Sequence, residues 1–143
     1  QLDGSILTMQ LDIIAQLKVF LLSLPLVCTI ANIMLSNNIC DLETDITNHR
    51  YTLVYYIGKK QALVVYQVLY AIAFGAILLA VLLGVAPWIL LGALVAGVPV
   101  YKHIQQFKAV QEKKTTFALA IKNMVMIHSL QAVLLFVAVI FFN

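Results

Sequence analysis

Long apolar runs alternate with short polar segments along this chain. Residues 17–36, 61–83, 85–101 and 124–142 are apolar almost without interruption. Twenty residues of α-helix at 1.5 Å each reach ~30 Å, the hydrocarbon thickness of a bilayer. The runs therefore predict four membrane-spanning helices. Pro25 lies inside the first run, where a membrane helix tolerates it as a kink and the hydroxyls of Ser23 and Thr29 stand close enough to serve the backbone. Gly84 to Pro87 predicts a tight turn, with Trp88 after it at the membrane interface. Gly92, Ala93, Ala96 and Gly97 place small residues four apart in the third run, which lets helices approach closely. The first sixteen residues mix polar and apolar types. Asp3-Gly4-Ser5 reads as a turn there, and Ser5 as the cap of a short helix through Leu11 to Ile14, in a loop or interfacial segment.

Composition agrees with this pattern. The 143 residues are 63% hydrophobic and 10% charged, with a mean hydropathy of +1.00. A soluble domain carries about 25% charged residues. An all-α, multi-pass membrane protein in contact with the lipid bilayer is expected. The first residues form no secretory signal, and the chain starts at Gln1 rather than Met, so a fragment or processed chain is expected. Cys28 and Cys40 do not make a disulfide framework. No basic stripe interleaved with aromatics is present, so no nucleic-acid partner is expected.

Charge distribution adds an orientation. Arg50, Lys59 and Lys60 follow the first run, and Lys102, Lys108, Lys113, Lys114 and Lys122 follow the third, so eight of the nine basic residues fall on one side of four alternating helices. Lys18 is the ninth. The excess of Lys and Arg makes that side cytoplasmic, in a cell membrane.

The exception to the apolar pattern is Asn37-Asn38-Ile39-Cys40-Asp41-Leu42-Glu43-Thr44-Asp45, at the end of the first run. If the helix continues through it, Asn37, Asn38, Asp41 and Asp45 fall within a ~100° arc, with Glu43 on the far side. Two carboxylates one turn apart repel unless a cation lies between them. Mg²⁺ suits the pair, because it takes oxygen ligands and is commonly held by one or two carboxylates plus substrate phosphates. The alternative is a helix emerging into water with two solvated aspartates. Arg50, Lys59 and Lys60 can neutralise phosphate oxygens, although anchoring on the positive side of the membrane is the better single explanation for the two lysines.

Residues 37–58 resemble the second aspartate-rich region of the UbiA superfamily of intramembrane prenyltransferases. The likeness is greatest to the branch that prenylates 1,4-dihydroxy-2-naphthoate in menaquinone synthesis, with the pattern N-N-x-R-D-x-x-x-D-x-x-x-G-K-x-T-L and a glycine shortly after. Asn37, Asn38, Asp41, Asp45, Thr52, Leu53 and Gly58 match it. Arg50 replaces a lysine, His49 a glycine and Cys40 an arginine. The match is specific over about 22 residues, and the three later runs follow the family's helix order. The resemblance implies a nine-helix bundle of which this chain is the last four helices, with the motif at 37–53. The first aspartate-rich motif, N-D-x-x-D, is absent from the sequence and is expected in a missing N-terminal half. It further implies that Asp41 and Asp45 are catalytic ligands of Mg²⁺, and that Asn37, Asn38 and Arg50 bind the diphosphate of a polyprenyl diphosphate. The aromatic acceptor is then 1,4-dihydroxy-2-naphthoate, or another such as 4-hydroxybenzoate. A non-catalytic membrane protein derived from such an enzyme is the alternative. Cys40 and the absent first motif favour it, and the intact asparagine and aspartate positions oppose it.

Several other polar residues stand out. His128 and Gln131 lie one turn apart in the last run, where an interhelical hydrogen bond or a cavity wall is expected. Asn32 points away from the aspartate face and is expected to pack. Tyr51, Tyr55 and Tyr56 either anchor at the interface or shape an acceptor pocket. His103 is expected to be solvated; the Lys113-Lys114 pair is by default a solvated loop and otherwise closes over the site from the connection after the third run.

Overall fold

The structure, a computed structural model, describes residues 12–141. The turn at Asp3-Gly4-Ser5 and the cap at Ser5 lie outside these residues. Every regular element in the described part is helical. Helix α1 (Ile13–Thr47) begins at a cap, Asp12, whose carboxylate accepts the Ala15 amide at 3.0 Å. It starts before the first apolar run and does not stop with it. The polar stretch after Ser36 is carried as further turns of the same helix. Pro25 sits inside α1 without ending it. Pro25 cannot serve the Leu21 carbonyl. Nearby hydroxyls turn to carbonyls on either side, Ser23 Oγ to Phe20 and Thr29 Oγ1 to Pro25, both at 2.8 Å.

Helix α2 (Leu53–Leu82) is broken near its start by Gly58, with φ 80° and ψ 154°. That backbone region is open only to glycine, so the break is written into the residue type. A turn through Gly84, with φ 66°, leads to a 3₁₀ segment, Trp88–Ala96. This segment runs into α3 (Gly97–Ala109) with helical torsions kept at the joint, and the two form a single rod. Helix α4 (Phe117–Phe141) completes the described chain. Helices α1, α2 and α4 are each long and apolar enough to cross a membrane, and the divided third rod corresponds to the remaining run. Val110 ends α3 in extended backbone and is exposed.

Helix α1 packs against α2 and α4, and the third rod packs against the same two helices. The inward row of α1 is Pro25, Cys28, Thr29, Asn32, Leu35, Ser36 and Ile39, spaced three and four apart. Tyr66 lies at the centre of the core, edge-on to Tyr70 at 5.2 Å and 4.9 Å from the Phe107 ring. A Cβ added to Gly92 would stand 3.3 Å from Leu134 Cδ1, so the small residue is what lets the third rod approach α4. The outer faces remain apolar, as at Val19, Leu82, Val139 and Phe141. In a multi-pass membrane protein these faces meet lipid.

Several polar side chains inside the bundle are paired across helices. Asn32 donates to the Tyr66 carbonyl at 3.0 Å, and Asn123 donates to the Tyr70 hydroxyl at 3.1 Å. His103 corrects the expectation of a solvated side chain. Its Nδ1 lies 2.6 Å from Asn123 Oδ1, which as an acceptor places the proton on Nδ1. His103 adjoins the buried Ile104 and lies one turn before the buried Phe107, so the packing of α3 turns it toward α4. His128 and Gln131 make interhelical hydrogen bonds, His128 with Thr29 at 2.7 Å and Gln131 to the Leu22 carbonyl at 3.0 Å. Both also line a cleft of about 230 Å³ between α1 and α4.

Candidate functional site at the polar end of α1

The last turns of α1 position the site. Asn37 Nδ2 donates to Asp41 Oδ2 at 3.1 Å, as one-turn spacing on a helix permits. Asp45 is buried at 5% exposure, and Arg50 approaches it from the following loop, with Nη1 3.7 Å from Oδ1. The Arg50 amide also donates to the Asp45 carbonyl at 2.8 Å, closing the helix end. Asn38 is half-buried, and its side chain makes no hydrogen bond among the described residues. Glu43 is exposed. Thr52 precedes α2, and its hydroxyl is enclosed without a hydrogen-bond partner among the described residues.

The third connection reaches the site through one of its lysines. Of the two readings of Lys113, a solvated loop by default or closure over the site, the structure shows the second: its ammonium donates to Asn37 Oδ1 at 2.5 Å and also to Asp41 Oδ2. The connection that carries it is braced from within. Glu112 N–H donates to Thr116 Oγ1 at 3.0 Å, Thr116 Oγ1 donates to the Val110 carbonyl at 2.8 Å, and Thr115 Oγ1 donates to the Glu112 carboxylate at 3.0 Å. The Lys113 ammonium also lies 5.5 Å from the centre of the Phe117 ring. Beside it opens a groove of about 430 Å³, lined by Cys40, Gln111, Glu112, Lys113 and Lys114. No sequence motif announces a contact between residues seventy-two apart.

Asn37, Asn38 and Asp41 are half-buried, whereas Asp45, on the same arc, is buried. At 100° per residue, Asn37, Asn38, Asp41 and Asp45 lie on the side of α1 opposite Asn32 and Ile39. The same side continues toward the membrane as Met34, Ile30 and Val27, all exposed. One helix face therefore joins an apolar stripe to a polar, acidic end.

The donor set fits Mg²⁺ as part of a site. An amide oxygen and a carboxylate oxygen already converge on a cation, the Lys113 ammonium. Among the described residues no group of three or more His, Cys, Asp or Glu side chains comes together, so the rest of the coordination would fall to water and substrate phosphates, as Mg²⁺ commonly accepts.

Compared with known families, residues 4–130 match the model of the UbiA prenyltransferase family. The chain belongs to this family. No curated protein and no solved structure matches it. Membership in the UbiA family implies a membrane prenyltransferase, in keeping with the apolar helices. The loop after α1 holds one departure from the UbiA-like pattern in left-handed backbone. His49, in the place of a glycine, has φ 56°, in the left-handed region that glycine enters freely. Tyr51, Tyr55 and Tyr56 touch in sequence, the first pair tilted with ring centres at 4.8 Å and the second edge-on at 5.2 Å, and all are exposed.

Proposed function

We propose that this chain is the C-terminal part of a Mg²⁺-dependent prenyltransferase that moves a polyprenyl group from its diphosphate to an aromatic acceptor, 1,4-dihydroxy-2-naphthoate in menaquinone synthesis. One observation carries the reading. The acidic end and the exposed apolar stripe of α1 share a single face, which suits an amphiphile with a diphosphate head and a hydrocarbon tail. Asp41 and Asp45 would hold Mg²⁺, Asn37 and Asn38 would orient the diphosphate, and Arg50 would neutralise one of its oxygens. Bound Mg²⁺ would stabilise the negative charge that gathers on the departing diphosphate. Met34, Ile30 and Val27 would keep water from the allylic carbon while the ring of the acceptor bonds to it. The clustering of eight of the nine basic residues on one side supports a cytoplasmic site. The first aspartate-rich motif is not within these 143 residues, so this stretch alone is expected to be inactive.

The test supplies a complementary half with an N-D-x-x-D motif and measures prenylation of 1,4-dihydroxy-2-naphthoate and 4-hydroxybenzoate with prenyl diphosphates of several lengths. Asp41→Ala is expected to abolish Mg²⁺-dependent turnover. Unchanged turnover in that variant would refute the ligand assignment. Cys40, uncharged in the groove beside the site, favours a second reading as a non-catalytic family member. That reading predicts no turnover with any acceptor in the reconstituted enzyme.

A further inference from the structure

Lys113 enters the site of α1 as a cation from a distant part of the chain. Its ammonium takes one oxygen of Asn37 and one of Asp41, the same two side chains that a divalent ion would use. An ammonium and Mg²⁺ cannot share these oxygens, because two cations a few ångströms apart repel strongly in a partly desolvated site. The backbone of the connection is fixed by the Thr115 and Thr116 hydrogen bonds. The lysine side chain is 47% exposed and therefore has room to turn. Its four-carbon stem carries a compact charge that can be re-aimed without moving the loop. The groove next to it already holds a second ammonium, Lys114, and the amide of Gln111.

We propose that Lys113 is a placeholder for the metal and a positioning residue for the diphosphate. It holds Asn37 and Asp41 together until a divalent ion displaces it, and then turns into the groove to bind the diphosphate that arrives with the ion. This rests on the reading of Asp41 as a metal ligand. The device answers two difficulties with one side chain. Without a cation, the acidic face near the membrane would lose the compensation it needs. With the metal and substrate present, the freed ammonium meets the one group that adds negative charge.

The test uses the 143-residue chain in lipid nanodiscs, with Mn²⁺ as the spectroscopically visible ion and inorganic diphosphate as the anion. Lys113→Met is expected to tighten Mn²⁺ binding about 3–10-fold in the absence of diphosphate, because a competing charge is gone. The same change is expected to weaken diphosphate binding to the Mn²⁺-loaded chain about 10-fold, with Lys113→Arg restoring most of it. A second measurement reads the lysine itself. Reductive methylation followed by mass spectrometry should show Lys113 protected relative to Lys114, exposed by Mg²⁺, and protected again when diphosphate is added. Asp41-dependent Mn²⁺ binding that Lys113→Met leaves unchanged overturns the placeholder alone. Mn²⁺ binding by neither the wild-type chain nor Lys113→Met overturns the metal reading and the placeholder with it. Methylation of Lys113 that ignores both Mg²⁺ and diphosphate also overturns the placeholder.

Discussion

The bundle holds two polar clusters built from different chemistry. At its centre, Asn32, Tyr66, Tyr70, Asn123 and His103 bring amides, phenols and an imidazole together from all four rods. The first four of these are almost fully enclosed. At the polar end of α1, Asn37, Asp41, Asp45, Arg50 and Lys113 bring together formal charges, most of them reached by solvent. A neutral group can be buried once it has a hydrogen-bond partner, whereas a charge in hydrocarbon costs several kcal/mol unless it is paired. The central cluster is a clasp that joins helices. The outer one keeps groups that a ligand can reach and exchange.

Swapping the demands on the two clusters should separate them. The largest effect is expected at the outer cluster, in function. In the reconstituted enzyme, Asp41→Ala should lower turnover about 10³-fold, while the helix content and melting temperature of the chain stay near wild type. In the central cluster, Asn123→Ala leaves His103 and the Tyr70 hydroxyl without their partner. It should cost about 1–3 kcal/mol of stability in detergent unfolding, with no change in Mn²⁺ affinity per folded molecule. Gly58→Ala tests the link between the two, since the α2 break sets the start of the helix that carries Tyr66. A side chain there should cost about 1–3 kcal/mol, read as a lower melting temperature. The smallest effect is a gain. His49→Gly relieves a left-handed backbone at an exposed loop and should stabilise by about 0.5 kcal/mol after the added freedom of the unfolded chain is counted.

How legible each cluster was follows from how local its causes are. Helical periodicity brings Asn37 and Asp41 within reach of each other from sequence alone, because one turn of helix does so wherever the helix persists. The apolar runs likewise announced the long helices, since their length and composition are properties of single segments. His103 was not legible, and Lys113 only as one of two lysines that could close over the site. Each reads as one more polar residue in a polar stretch, and its partner lies on another helix. The start of α1 was also hidden, because Ile13, Ile14 and Leu17 continue a helix across the polar Gln16 and Lys18, and the Asp12 cap decides where it begins. The break at Gly58 had a visible residue type but no visible direction.

The nine residues of 3₁₀ helix in the third rod carry a consequence for how this part of the chain fits a bilayer. A 3₁₀ turn rises about 2.0 Å per residue, against 1.5 Å in an α-helix. Over Trp88–Ala96 the stretched winding therefore lengthens the rod by ~4–5 Å. Residues 88–101, the apolar part of the rod, would reach only ~21 Å if wound as α-helix, well short of a ~30 Å hydrocarbon layer. The tighter coil brings the shortest of the four apolar runs closer to the thickness its neighbours span, and so reduces the local thinning that the lipid around Trp88 would otherwise have to supply.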